Sequence, residues 1–152
     1  MNNNNIDAVI RNATISTRNF SGRPGKYNKE GERSFSLLLD EEQGERMLAD
    51  GWNVKRKEGR TPDDPPRYYL GVTVMFHPKH QPTVVLVTSR NKTILDETDI
   101  GRLDAAIFEK VDIQLNGRVW EAADGKSGVK AYLRAGYFTI KEDAFAEEYG
   151  MI

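Results

Sequence analysis

"VDIQLNGRVWEAADGKSGVKAYLRAGYFTI", residues 111–140, decides the fold. On its first arm Val111, Ile113, Leu115 and Val119 share one side. Gln114, Asn116, Arg118 and Trp120 share the other. On its second arm Val129, Ala131, Leu133 and Ala135 point inward, opposite Lys130, Tyr132 and Arg134. Alternation with period two marks a strand with one buried and one solvated face. The connecting "AADGKSG" has the composition of a hairpin turn. The stretch predicts two long antiparallel strands whose polar face carries a tryptophan, a tyrosine and cations.

Working outward, more short strands appear. "YYLGVTVMF" (68–76) alternates, with Tyr68, Leu70, Val72, Val74 and Phe76 on the core side and Tyr69 pointing away. "RSFSLLLD" (33–40) puts Phe35, Leu37 and Leu39 on one face, and "TVVLVTS" (83–89) reads as a central strand. "AVIRNATIST" (8–17) changes apolar phase partway, as a long bulged strand would. "WNVK" (52–55) is a short strand, and Trp52 is expected to be structural, following the helix end at Gly51. Two helices are predicted. One is 40–50, with Asp40 as N-cap and Gln43 completing a capping-box pattern. The other is 96–110, capped by Asp96. The order predicts a mainly β chain with short helices: an OB-fold-like five-stranded antiparallel barrel with an inserted helix and extra strands. Residues 1–5 are an expected disordered start, 6–140 one domain, and 141–152 an acidic tail.

Composition narrows the function. The 152 residues are 38% hydrophobic and 30% charged, with no cysteine. Disulfides, thiol nucleophiles and cysteine-bound zinc are therefore excluded. No apolar run approaches the roughly 20 residues of a membrane helix. The start, "MNNNNIDAVI", has neither the basic residues nor the apolar core of a secretory signal, so a cytoplasmic location is expected. Net charge is −1, but it is segregated. Residues 18–35, "RNFSGRPGKYNKEGERSF", hold five basic residues against two acidic ones. The tail, "KEDAFAEEYGMI", holds one against four.

In an OB-fold the loop after the first strand and the loop of the last hairpin bind oligonucleotides. Here these are 19–32 and 122–127, both glycine-rich and lysine-bearing. Single-strand binding needs rings for base stacking and cations for phosphates. The candidate rings are Phe20, Tyr27, Trp120 and Tyr132. The candidate cations are Arg18, Lys26, Arg33, Arg90, Lys92, Lys126, Lys130 and Arg134. Bland readings stand beside these. Trp120 and Tyr132 also suit cross-strand packing, loop 19–32 a solvated connection, and 88–93 a solvated turn. Phe35 is in core phase. The tail residues Glu142, Asp143, Phe145, Glu147, Glu148 and Tyr149 suit either a docked amphipathic helix or an acidic segment that binds proteins.

Enzyme readings are weak. "GKS" at 125–127 lies between strands, and the earlier glycine of a P-loop falls on Trp120. His77 and His80 in "HPKH" have no further His or Cys to complete a metal site. No cofactor, metal or catalytic residue is expected.

The stretches "RNFSG…GKYNKEGERSFSLLLD", "DGWNVK", "VLVTSRNKTILDE" and "WE…GKSGVKAYL" resemble the single-stranded DNA-binding proteins of tailed bacteriophages. The resemblance implies an OB-fold that protects single-stranded DNA during phage replication and recombination in the host cytoplasm. Members of such groups often end in an acidic tip with a terminal aromatic, whereas this sequence ends in Gly-Met-Ile. The alternative is an OB-like protein-interaction module that recruits replication or recombination partners through its acidic tail.

Overall fold

The computed structural model describes residues 5–26 and 28–141. Among these, nine strands and one α-helix follow in the order β1 (Asn5–Ile10), β2 (Thr14–Asn19), β3 (Arg33–Leu39), α1 (Glu41–Ala49), β4 (Val54–Lys57), β5 (Arg67–Val74), β6 (Thr83–Val87), β7 (Lys92–Leu95), β8 (Phe108–Glu121) and β9 (Ser127–Ile140). The main hydrogen-bonded path runs β1-β8-β9-β5-β3-β2. Its ends, β1 and β2, are consecutive in the chain. Residues 11–13 join them, and the Ala13 amide bonds to the Val111 carbonyl at 2.7 Å. This is an OB-like architecture: mainly β, with an inserted helix and the extra strands β4, β6 and β7.

The phase slip in the first segment is a real break. Asn12 has φ of 51°. Before it, β1 pairs with β8; after it, β2 pairs with β3. One segment thus serves both ends of the sheet path.

The core is where alternation puts it. Phe35, Leu37, Tyr68, Leu70, Val72, Leu115 and Ala131 are buried. Two expectations on the hairpin are corrected. A bulge at Arg134 lets Leu133 pair with Leu115 and Ala135 with Gln114. The inward phase therefore passes from Leu133 to Gly136 and Phe138, and Ala135 is only half-buried. Val119 is exposed, although its partner Val129 is buried beside Trp52.

Helix α1 has the expected start: the Asp40 carboxylate accepts from the Gln43 amide at 2.7 Å. Its end is a Schellman turn. The Trp52 amide donates to the Met47 carbonyl and the Gly51 amide to the Leu48 carbonyl, each at 3.0 Å. Gly51 takes φ of 90°, which favours glycine. Trp52 is buried, as expected of a structural residue.

The helix expected at 96–110 is absent. Only Ile100–Asp104 forms a 3₁₀ turn, and Phe108 already starts β8. Asp96 bonds to the amide and hydroxyl of Thr98, which closes a turn where a helix would begin. The sequence reading also missed β7, whose first residue is Lys92. No helix among the described residues is long and apolar enough to cross a membrane.

Candidate nucleic-acid interface

The outward side chains of the central strands form one face. Ser34 pairs with Thr73, Thr73 with Tyr132, Tyr132 with Asn116, and Asn116 with Asp7. One step toward the hairpin tip, Ser36 pairs with Gly71 and Lys130 with Arg118. Trp120 pairs with Gly128 one step further.

Tyr132 is at the centre of the charged part. The Arg118 guanidinium lies 4.8 Å from its ring centroid, and the Lys130 ammonium 5.3 Å. Such contacts are cation–π attractions, and they also fix the ring's orientation. Asp7 faces this cluster from β1. Its carboxylate accepts from the Asn116 amide at 3.0 Å and pairs with Arg134 at 3.3 Å.

Trp120 lies over Gly128, where a Cβ would approach the indole to 2.9 Å. Its Nε1 donates to Asn53 at 3.3 Å, which ties the ring to the segment leading into β4. The side chain keeps 39% of its surface exposed. Packing on the hairpin and exposure to a ligand therefore coexist in one residue.

Beside Tyr132 is an open groove of about 700 Å³. Met75 and the 77–82 turn form one wall, and Asn116, Arg118, Tyr132 and Arg134 the other. His77 and His80 stand 6.2 Å apart in that turn, and Lys79 projects between them in sequence. The groove has a polar, cationic lining with one aromatic face. Sequence alternation had put Arg118 on this side, but only the structure shows it against Tyr132. The contribution of the 77–82 turn had no sequence signal, because it depends on which strands the turn lies beside.

Several candidates are placed elsewhere. Phe20 is fully buried, stacked on Phe35 at 5.4 Å and edge-on to Phe138 at 5.7 Å. It is a core residue and presents no ring to a base. Arg18 is half-buried: it donates to the carbonyls of Leu103 and Ala106 and covers the Phe108 ring at 4.4 Å. Those bonds occupy its guanidinium with tying β2 to residues 103–106. The Arg33 side chain is 12% exposed, pairs with Glu97 at 3.6 Å and lies over Phe76. It too is engaged within the protein. Tyr27 and the tail residues Glu142, Asp143, Phe145, Glu147, Glu148 and Tyr149 lie outside the described residues.

The basic loop is more constrained than its composition suggests. Asp104 holds its start by accepting from the amides of Phe20 and Ser21 and from the Ser21 hydroxyl. Gly31 donates to the Gly22 carbonyl at 2.7 Å. Gly22 has φ of 73°, and a Cβ there would meet Gly31 at 3.0 Å, so both torsion and space call for glycine. Lys26 is exposed in this loop. The loop enters β3 at Arg33, which pairs with Val74, the last residue of β5. The 122–126 tip, with exposed Lys126, lies toward the other end of β5. The two loops thus bound the outer face from opposite ends. Arg90 and Lys92 are exposed but distant: Lys92 pairs with Val87, and Val87 with Thr139. Thr139 is seven residues along β9 from Tyr132, about 23 Å at ~3.3 Å per residue.

An OB-like sheet whose solvated face carries exposed rings and cations has the make-up of the oligonucleotide-binding class of folds. The family model described as a putative phage ssDNA-binding domain matches residues 2–152, and the chain belongs to that family. Among solved structures it is similar to the single-stranded DNA-binding protein from bacteriophage Enc34 in a C-terminally truncated form. Identity there is 12%, with a TM-score of 0.55 over 90% of this chain and 87% of that one. The Enc34 protein without that truncation gives 12% and 0.54, covering 93% and 84%. The single-stranded DNA-binding protein gp2.5 of bacteriophage T7 gives 10% and 0.47, covering 95% and 94%. No curated protein sequence matches the chain.

Proposed function

We propose that the protein binds single-stranded DNA without enzymatic turnover and largely without regard to sequence, in phage DNA replication and recombination. The observation that carries this is the Tyr132 cluster, a ring held between Arg118 and Lys130 at the edge of a cationic groove. A base stacks on Tyr132 and another on the exposed part of Trp120. Phosphates lie against Arg118, Lys130, Arg134 and Lys79. Stacking tolerates any base because each has a π-face, and phosphate contacts carry no sequence information. A duplex keeps its bases in its own stack, so it cannot use these rings. Lys26 and Lys126 add positive charge at the two ends of the face.

Titration with oligo-dT at two salt concentrations tests the reading. Tryptophan fluorescence should fall on binding, affinity should drop steeply with salt, and duplex DNA should compete poorly. Equal affinity for duplex and single strand, or affinity indifferent to salt, would refute it.

A further inference from the structure

A second groove, of about 720 Å³, lies at the opposite end of β5 from the first. Tyr69, Lys55, Arg56 and Lys57 line it together with Ser16 and Thr17 of β2. Lys55 pairs with Tyr69, and Lys57 with Arg67. Period two puts these four side chains on the same outer face as Thr73 and Tyr132. Lys55, Lys57 and Arg67 are exposed, and among the described residues none of them is in an ion pair. Arg56, the cation between the lysines, is instead bonded to Tyr68 and Glu58 and paired with Glu45. The extra strand β4 thus sets three exposed cations at a tyrosine, of which Arg56 is paired with acids and Lys55 and Lys57 are not.

The ground between the two grooves is Gly71 and Thr73. Gly71 is in mid-strand without a positive φ, and a Cβ there would meet no atom within 4 Å. Neither torsion nor packing calls for glycine, and a strand interior is weakened by one. The open space leaves room for a ligand backbone to approach closely. Lys130 lies beside it on β9, and Asn53, which holds Trp120, is two residues from Lys55.

We infer that the Tyr69 groove is a second contact for the same DNA strand, an inference that rests on the single-strand reading above. A base stacks on Tyr69 while phosphates meet Lys55, Lys57 and Arg67. The strand then crosses Gly71 and Thr73 to Tyr132. Tyr69 and Thr73 are four strand residues apart, about 14 Å at ~3.4 Å each. One polynucleotide therefore reaches both rings.

The test compares wild type with Lys55→Ala/Lys57→Ala, Tyr69→Ala, Tyr69→Phe and Gly71→Val, each checked by thermal melting, in oligo-dT titrations across a salt series. The lysine pair should lower the slope of log affinity against log salt by about 1.4, at ~0.7 per phosphate contact on a single strand. Tyr69→Ala should weaken binding about 5- to 150-fold, the loss expected of one stacked base, and Tyr69→Phe should retain it. Gly71→Val should weaken binding while the melting temperature holds or rises. Folded variants with wild-type affinity and slope would overturn this inference alone. A wild-type protein that does not bind oligo-dT would remove it together with the function it extends.

Discussion

The Arg118 guanidinium lies over the Tyr132 ring, 4.8 Å from its centroid, on a strand that pairs directly with the strand of Tyr132. The two residues are thus coupled before any ligand arrives. Tyr132→Ala should weaken oligo-dT binding by about 1–3 kcal/mol. Arg118→Ala should lower the salt slope by about 0.7. In a double-mutant cycle the losses should be non-additive, because removing the cation also frees the ring. Strict additivity would show that the two contacts act separately.

On the proposed reading, Asp7 opposes the ligand. Its carboxylate neutralises Arg134 and puts a negative charge beside the groove. Asp7→Asn should therefore tighten binding, by up to about 1 kcal/mol given that the pair is exposed. Weaker binding would mean that the pair's role in positioning Arg134 outweighs its cost in charge.

The two tryptophans report from different places. Trp52 is 5% exposed and packs within the core, whereas Trp120 is 39% exposed on the hairpin. Trp120→Phe should abolish the quenching produced by oligo-dT, and Trp52→Phe should leave it. Quenching that survives Trp120→Phe would place the DNA elsewhere.

Phe20 separates stability from binding. Its ring is fully buried between Phe35 and Phe138. Phe20→Ala should cost about 3–5 kcal/mol of stability in denaturant unfolding. The remaining folded fraction should bind DNA with the wild-type salt slope. A variant of normal stability with impaired binding would contradict the burial.

Two carboxylates set an acid limit. Asp112 is held below the usual range mainly by the Asn12 amide, and Asp96 mainly by its bonds to Thr98. A lowered folded value means the unfolded chain takes up protons first. The contribution is therefore whole above the unfolded value, near ~3.9, and is lost as pH falls through the folded one. Stability measured from pH 7 downward should stay flat for these groups until about pH 4 and then decline. Asp112→Asn should make that decline shallower, and an unchanged profile would show that the carboxylate is not linked to folding.

The legible parts of this protein were those written in period two. Apart from Val119, residues 111–121 and 129–134 showed their inner and outer faces directly, and so separated Trp120, Lys130 and Tyr132 from Val129 and Leu133. Asp40 and Gly51 marked the ends of α1 because capping is local. Phe20 was misread because its neighbours in sequence are polar. Its partners, Phe35 and Phe138, come from β3 and β9. The 96–110 segment had helix-like spacing, yet β8 begins at Phe108 to complete its pairing with β9, so tertiary pairing overrode the local pattern.

The sequence by itself determined the two faces of each regularly alternating stretch, because side-chain direction follows from the strand repeat. It also determined where the charge is concentrated. Only the tertiary structure decided which of those residues meet. Arg18 and Arg33 are as basic as Arg118, but carbonyls, Glu97 and aromatic rings engage them inside the protein. Arg118 reaches Tyr132, and Lys55 reaches Tyr69, through hydrogen-bonded register between strands. Register is a property of paired backbones distant in sequence, and no single segment encodes it.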